Sequence, residues 1–209
     1  MILDEYVKGR DITGIAEDLS EYLGRNDIVN QLLTRDAARE LAIRWDKSDI
    51  DEFYTNSEEY LIDLAQFNLR ADYLNRISCA GFLRGKRCDF GGGIGTLAIL
   101  LKMEVYVDVP SPQRKFAEWR FKKHGLDIEV RDNLKGLKCD GMSAIDVMEH
   151  IHPLRLGDVV KDIANSCNMF MEVSPFKDPQ PMHFDNEDRF NSLMRIYFTG
   201  GSPLWKRTS

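Results

Sequence analysis

Apolar residues in the first eighty positions recur at intervals of three and four residues, which is the spacing of amphipathic helices. One such stripe lies within residues 11–24, and Gly24 is a residue type that commonly ends a helix. Two further stripes lie within residues 27–45 and about 57–77. We therefore predict that residues 1–81 form a helical N-terminal segment.

This helical segment has two interpretations. The simpler one is a cap that packs on the rest of the chain and carries no chemistry. The alternative is a lid that supplies an aromatic side chain to a ligand pocket, with Phe53, Tyr54 and Tyr60 as the candidates.

After Gly85 the pattern changes to short apolar runs that alternate with helical stretches. Such alternation predicts a parallel sheet whose strands are joined by helical crossovers, here a domain over residues 82–209. The predicted strands are 87–90, 105–109, 128–131, 141–145 and 169–173. The predicted helices are 96–102, 112–124, 154–164 and 187–198.

Composition places the chain among globular proteins. It has 209 residues, of which 43% are apolar and 30% charged, enough for one domain with an elaboration or two small units. Residues 1–80 hold 17 acidic and 9 basic side chains, a net charge of −8, whereas the remainder has a net charge of +2. The acidic front argues against a protein that wraps nucleic acid.

Cysteine usage and the absence of long apolar runs indicate the compartment. The four cysteines form no C-x-x-C pair, which predicts reduced and mostly buried thiols. The first residues lack the pattern of a secretory signal, and no run has membrane-spanning length. We therefore expect a soluble cytoplasmic protein with no membrane partner.

A glycine-rich turn is the first candidate for chemistry. Gly91, Gly93 and Gly95 follow a predicted strand and precede an apolar helix, so bare backbone and helix N–H groups can approach a ligand. Their G-x-G-x-G spacing differs from the G-x-G-x-x-G of dinucleotide sites. Asp89, two positions before the first glycine, would repel a pyrophosphate and is better suited to a cationic amine.

Acidic and amide side chains also follow the next two predicted strands. Asp108 ends the second strand, where a carboxylate can accept hydrogen bonds from both hydroxyls of a ribose. Asp132 and Asn133 follow the third strand and could recognise the amino group of an adenine. The structural alternatives are a helix-capping aspartate at the first site and an ordinary turn at the second.

Four segments in this order resemble the class I S-adenosylmethionine-dependent methyltransferases. They are the glycine turn with its preceding acid (89–95), Asp108, the pair Asp132 and Asn133, and the fourth-strand segment 145–151. The last reads Ile-Asp-Val-Met-Glu-His-Ile and is similar to a signature of small-molecule and RNA methyltransferases with this fold. The resemblance covers roughly residues 84–175.

The resemblance implies an α/β fold of the Rossmann-like, doubly wound type with a mostly parallel sheet, and S-adenosylmethionine as cofactor. It places the methionine part of the cofactor at Asp89, Gly91, Gly92 and Gly93. It places the ribose at Asp108, the adenine at Val109 and at Asp132 or Asn133, and the cofactor's substrate side at Ile145 and Asp146. The usual closing antiparallel hairpin is predicted to be abbreviated or missing, with residues 204–206 as one edge strand.

Methyl transfer from a sulfonium needs mainly alignment, and a base only where the acceptor must lose a proton. The candidate bases are His150 and His183, with His152 beside them.

The proline-rich segment 174–185 follows the fifth strand and offers Phe176, Met182 and Phe184 as acceptor-site walls. The alternative is that this segment is an ordinary stiff connection between two elements. A small-molecule acceptor is favoured, with RNA as the alternative.

Asp146, Glu149, His150 and His183 also suggest a metal cluster. The arrangement is similar to the metal site of small-RNA 3′-end 2′-O-methyltransferases, but the Glu-His pair is also common in relatives without metal. We therefore predict no metal.

Two further interpretations concern charge and function. The basic helix 114–123 is interpreted as a solvated face whose Phe116 and Trp119 point inward. A domain of the same fold that binds the cofactor without catalysis is the contrasting hypothesis. A nicotinamide-dependent oxidoreductase is disfavoured by the glycine spacing and by Asp89.

Overall fold

The computed structural model describes residues 11, 13–34, 58–178, 180 and 183–208. The helices of these residues are α1 (Ile15–Leu23), α2 (Ile28–Thr34), α3 (Glu58–Asn68), α4 (Ala71–Ser78), α5 (Thr96–Leu101), α6 (Pro112–Lys123), α7 (Leu156–Ser166) and α8 (Glu187–Tyr197). The strands are β1 (Arg87–Phe90), β2 (Val105–Val107), β3 (Glu129–Arg131), β4 (Cys139–Ile145), β5 (Cys167–Val173), β6 (Phe198–Gly201) and β7 (Leu204–Arg207). Two short 3-10 helices span Cys79–Phe82 and Met148–His150.

The strands form one sheet in the order β3-β2-β1-β4-β5-β7-β6. Strands β1 to β5 are parallel, and β7 and β6 are antiparallel to their neighbours. The chain moves outward from β1 through β2 to β3 and then returns to the other side of β1 with β4. This is a doubly wound α/β fold, as the sequence predicts, and its strand order reverses between β1 and β4, where such folds bind ligands.

Apolar residues cover both faces of the sheet. On one face α7 and α8 pack through Val160, Ile163 and Phe190. On the other face α4, α5 and α6 pack through a cluster that includes Tyr73, Leu97 and Phe121. A third apolar cluster joins α1, α2 and α3 to α6 and to the turn after β1. The N-terminal helices therefore lie on the same side of the molecule as the glycine turn.

Helix capping explains the sharpest boundaries. Ser111 accepts a hydrogen bond from Arg114 N at 3.1 Å and Pro112 occupies the first turn, so α6 begins where the sequence predicts. Gly24 closes α1 in the left-handed conformation, with φ 64°, which confirms the predicted stop.

The predicted third helix is wrong as a single element. It is divided into α3 and α4, because Arg70 adopts an extended conformation with φ −83° and ψ 143°. Leu69 and Tyr73, on either side of the break, are both buried. Of the predicted helix 27–45, α2 covers the first part, and residues 35–45 lie outside the described residues.

The prediction of an abbreviated closing hairpin is confirmed, whereas the prediction that residues 204–206 form an edge strand is wrong. A short antiparallel hairpin, β6 and β7, is present, and β7 pairs with β5 inside the sheet rather than lying at its edge. The pairing places Trp205 opposite Phe170, and the Trp205 side chain is fully buried. Burial of this indole explains why so few residues suffice to complete the sheet.

The four cysteines, all of them described, are free thiols, three buried and Cys79 half-buried. This agrees with the sequence prediction. Within the part of the chain that the structure describes, no helix is long and apolar enough to cross a membrane.

Candidate active site

A cavity of about 550 Å³ lies at the carboxyl ends of β1, β2 and β4. Its floor is the glycine turn after β1, and α3 and α4 of the N-terminal segment form the opposite wall. Because parallel strands bring their carboxyl ends to one sheet edge, the residues after each strand converge here. All ten residues predicted to bind the cofactor line this cavity: Asp89, Gly91, Gly92, Gly93, Asp108, Val109, Asp132, Asn133, Ile145 and Asp146.

The glycine turn needs its glycines for space as well as for conformation. Gly91 has φ 69°, and a Cβ built there would lie 2.6 Å from the Val147 side chain. A Cβ at Gly92 would lie 2.6 Å from both Asp89 Oδ2 and the Tyr106 ring. Real Cβ atoms do not approach other atoms so closely, so the close packing of the turn against Val147, Asp89 and Tyr106 requires glycine at both positions.

Asp89 is a buried acid with an unused oxygen. Its Oδ1 accepts a long hydrogen bond of 3.4 Å from the Ser143 hydroxyl, while Oδ2 forms no hydrogen bond of good geometry with the described residues, although the backbone of Ala98 is close enough to lower the pKa of Asp89. Burial, reinforced by the negative charge of Asp108, raises the pKa of Asp89 to about 7. Asp89 lines the cavity, so a cationic group bound there would lie near this carboxylate.

Asp108 holds the glycine turn against β2. Its Oδ2 accepts from Gly93 N at 2.7 Å and its Oδ1 from Val109 N at 2.7 Å. The Tyr106 hydroxyl donates to Gly93 O at 2.6 Å, so strand and turn are locked together. Burial raises the pKa of Asp108 to about 6 despite these hydrogen bonds.

The far end of the cavity is open and polar. The Val109 side chain is 46% exposed. Asp132 forms an ion pair with Arg114, and Asn133 Oδ1 accepts a hydrogen bond from Lys135 N at 3.0 Å. The second contact is the ordinary turn that the sequence analysis kept as an alternative for this pair.

Asp146 lines the cavity where the chain leaves β4. It has φ 54°, a conformation that side-chain-bearing residues rarely adopt, directly after the buried Ile145 at the end of β4. Arg76 of α4 forms an ion pair with Asp146 Oδ1. Burial nevertheless raises the pKa of Asp146 to about 6. The contact ties the N-terminal segment to the loop after β4, which carries His150 and His152.

Three of the four candidate metal ligands lie close together, two of them on this loop. Single ligand atoms of Glu149, His150 and His183 all lie within 4.8 Å of one another. Glu149 is fully buried, and its oxygens form no hydrogen bond of good geometry with the described residues, although Ser174 is close enough to lower its pKa. Burial raises the pKa of Glu149 well above its usual value, and burial lowers that of His183.

The two histidines predicted as bases have different positions. His150 lines the cavity, and its ring meets the His183 ring edge-on at 4.8 Å. His183 lies behind it, with Nδ1 3.2 Å from Asp178 O. His152 also lines the cavity and packs against Phe184 at 5.4 Å.

The proposed acceptor-site walls are corrected in part. Phe176 is buried in the core against Phe190, with ring centroids 5.5 Å apart, so it is not a wall of the cavity. Met182 lies outside the described residues.

Most of the wall formed by α3 and α4 was not predicted from the sequence. Tyr60 was a lid candidate, but Leu64, Phe67, Asn68 and Tyr73 were interpreted as core or not singled out, and all line the cavity. Their helical stripe was visible in the sequence. What it faces depends on the break at Arg70, which the sequence pattern did not indicate. Phe53 and Tyr54 lie outside the described residues.

No family model matches the sequence, and no curated protein matches it. Among solved structures, the fold is similar to that of the PH0226 protein from Pyrococcus horikoshii OT3, with 18% identity and a TM-score of 0.55, over 78% of this chain and 100% of that chain. It is also similar to the mitomycin 7-O-methyltransferase MmcR, with 12% identity and a TM-score of 0.53, over 93% of this chain and 67% of that chain.

A third similar structure is the methyltransferase domain of the bacterial CtHen1-C, with 16% identity and a TM-score of 0.50, over 66% of this chain and 97% of that chain. At these identities the likeness concerns the fold alone. The chain therefore has the Rossmann-like α/β fold of solved methyltransferases.

Proposed function

We propose that the protein is an S-adenosylmethionine-dependent methyltransferase. The observation that carries the proposal is the pair of acids beside the glycine turn, Asp89 buried and Asp108 half-buried. Where the turn leaves β1, Asp89 offers a carboxylate oxygen that forms no hydrogen bond of good geometry with the described residues, and Asp108 offers a second carboxylate at the end of β2. Two acids at this edge favour a ligand with a cationic amine and a ribose over one with a pyrophosphate.

The residues present fit each part of this cofactor. Asp89 would receive its ammonium group, and the bare backbone at Gly91 and Gly92 would receive its methionine chain. The Asp108 carboxylate has lone pairs beyond those used by Gly93 N and Val109 N, so it could also accept from ribose hydroxyls. Asp132 and Asn133 stand at the polar end that would receive the adenine.

The sulfonium of S-adenosylmethionine supplies an already activated methyl group. The residues of this chain would then bind and align the two reactants and exclude water from them. Arg76 and Asp146 would hold the opening between α4 and β4 in one geometry. His150 and His183 are the proposed bases for an acceptor that loses a proton, His150 lining the cavity and His183 packed behind it.

We further propose a small-molecule acceptor and a lid role for residues 1–81, in front of a cofactor domain over residues 82–209. Tyr60, Phe67 and Tyr73 give the cavity an apolar, aromatic wall. A volume of about 550 Å³ lies in the range of small-molecule sites, roughly 300–1,000 Å³. RNA is the alternative acceptor.

Transfer of a radiolabelled methyl group tests the proposal. The protein is incubated with S-adenosylmethionine labelled at the methyl group and with separate pools of small hydroxy and amino compounds and of RNA. We expect label in the small-molecule pool and its loss in the Asp108→Asn variant. Binding of S-adenosylhomocysteine without transfer to any pool would instead support a catalytically idle domain that binds the cofactor.

A second candidate is a site for a divalent cation at Glu149, His150 and His183. It is favoured by the proximity of their ligand atoms and by the buried, poorly partnered carboxylate of Glu149. Carboxylate and imidazole ligands suit zinc, manganese or iron(II). Calorimetric titration with Zn²⁺ and Mn²⁺, compared with the Glu149→Gln variant, tests it. Equal heats from both proteins, with full activity in a chelator, would exclude it.

A further inference from the structure

The sequence pattern of the basic helix α6 predicts a solvated face, yet Arg120 on that helix has no exposed surface. Its guanidinium joins two distant parts of the chain. On one side Nε donates to Asp18 Oδ2 at 2.8 Å, and Nη2 donates to Thr13 O and Oγ1 at 2.9 Å each. On the other side Nη1 donates to Ile94 O at 3.0 Å and to Thr96 Oγ1 at 3.4 Å.

These contacts use the full donor capacity of the guanidinium, which has five N–H groups in a planar fork. The acceptors on the first side belong to α1 and its N-terminal approach. Those on the second side belong to the glycine turn and the first residue of α5. A lysine in this position could offer one compact ammonium and could not span both sides.

Asp18 is the anchor on the α1 side. It also receives Lys123 Nζ at 3.0 Å and lies 2.8 Å from His124 Nε2. Burial alone would raise the pKa of Asp18, but the hydrogen bonds from His124, Arg120 and Lys123 hold it below its usual value. The carboxylate is therefore charged at neutral pH, and the ion pair with Arg120 is buried on both sides.

The anchor on the other side is part of the candidate cofactor site. Gly93 and Ile94 line the cavity, whereas α1 does not. Gly95 packs against α6 so tightly that a Cβ there would lie 2.7 Å from the Phe121 ring. The turn is therefore held by Asp108 and Tyr106 from the sheet side and by Arg120 from the α6 side.

We propose that Arg120 is a positioning residue that couples docking of α1 to cofactor binding at the glycine turn. The inference rests on the proposed function, since it needs a ligand at the turn. A ligand that orders the turn holds the Ile94 carbonyl oxygen in position to accept from Arg120. The guanidinium of Arg120, held in this way, keeps its hydrogen bonds to Thr13 and Asp18. Because such coupling is reciprocal, docked α1 raises affinity at the turn and a bound ligand stabilises α1.

Hydrogen exchange with S-adenosylhomocysteine as the probe tests this coupling. We expect the ligand to slow exchange of the α1 amides more than that of the α8 amides. Helix α8 packs on α7 and β6 and serves as the reference for a general gain in stability. In Arg120→Lys we expect this extra protection to disappear and the dissociation constant to rise about tenfold.

Lys123→Met is the matched control, because Lys123 contacts Asp18 and Glu21 but not the glycine turn. It should speed exchange in α1 without ligand, yet keep both the ligand-induced protection and the affinity. If Arg120→Lys does not fold, Asp18→Asn tests the same link from the α1 side. Ligand binding with equal protection of α1 and α8 in the wild type would overturn the coupling alone. Absence of ligand binding would overturn the proposed function as well.

Discussion

The carboxylate of Asp89 lies inside the protein with one oxygen that forms no hydrogen bond of good geometry with the described residues. Burying a carboxylate without a full set of hydrogen bonds costs free energy. The same burial strengthens the attraction between the carboxylate and a bound cation, because little water is present to screen the two charges. Its pKa of about 7 means that the empty protein holds a proton there over much of the mildly acidic range. Two measurable consequences follow from this single residue.

The first consequence concerns stability against pH. The pKa of Asp89 is raised from 3.8 to about 7 on folding, so the folded chain binds more protons than the unfolded chain between these values. This group therefore lowers the free energy of unfolding as pH rises through that interval, by up to about 1.4 kcal/mol per pH unit. Asp89→Asn should gain stability relative to wild type from pH 5 to pH 7 and level off above. Urea unfolding of both proteins across pH measures it, and parallel curves would contradict it.

The second consequence concerns affinity. Below pH 7 a ligand with an ammonium group must displace the proton of Asp89, so the affinity of the wild type for S-adenosylhomocysteine should rise with pH up to about 7. Asp89→Asn should bind more weakly at pH 8 and show a flatter pH profile. Calorimetric titration at several pH values distinguishes the two, and a steep profile in the variant would assign the pH dependence to other groups.

Asp108 makes a different prediction, because it accepts hydrogen bonds that an amide can satisfy only in part. Asp108→Asn should weaken S-adenosylhomocysteine binding by about 1.5–3 kcal/mol for each charge-assisted hydrogen bond lost. Asp127→Asn is the matched control, since Asp127 is an exposed aspartate before the amino end of β3. Equal dissociation constants for the two variants would remove Asp108 from the site.

The glycine turn is the element that connects strand, cavity and N-terminal segment. The glycines of this chain differ in the atoms that an added side chain would contact. Substitutions can therefore distinguish a glycine needed for space from one needed only for its backbone conformation. Gly91 and Gly136 have nearly the same left-handed φ, 69° and 72°. A Cβ at Gly91 would clash with Val147, whereas one at Gly136 meets nothing within 4 Å.

Both Gly91→Ala and Gly136→Ala therefore pay the same backbone strain, on the order of 1 kcal/mol. Only Gly91→Ala adds the clash, and it should lower the melting temperature further and reduce S-adenosylhomocysteine affinity. Thermal unfolding with and without ligand measures both effects. Equal losses in the two variants would mean that the turn needs glycine for its conformation alone.

At the scale of the whole molecule, the periodicity of the sequence predicted those elements that depend on residues close together in the chain. The five parallel strands and the helices after them depend on runs of neighbouring residues, and β1 has the predicted bounds. The acids at the carboxyl ends of β1, β2 and β4 could be placed for the same reason, because parallel strands end at one sheet edge.

Features that depend on distant partners were not predictable. Arg120 contacts Asp18 across 102 positions, and Arg76 contacts Asp146 across 70. The β6 strand contains two glycines, and the sequence did not indicate that β7 lies inside the sheet, where Trp205 pairs with Phe170. In each case the local pattern fits a surface residue or a loop, and tertiary packing decides otherwise.

The measurement that tests the central claim most directly is calorimetric titration of the wild-type protein with S-adenosylmethionine, S-adenosylhomocysteine and NAD. The carboxylates of Asp89 and Asp108 beside the glycine turn predict one-to-one binding of both sulfur ligands and no binding of NAD, whose pyrophosphate would face Asp89. Binding of NAD without either sulfur ligand would contradict the account.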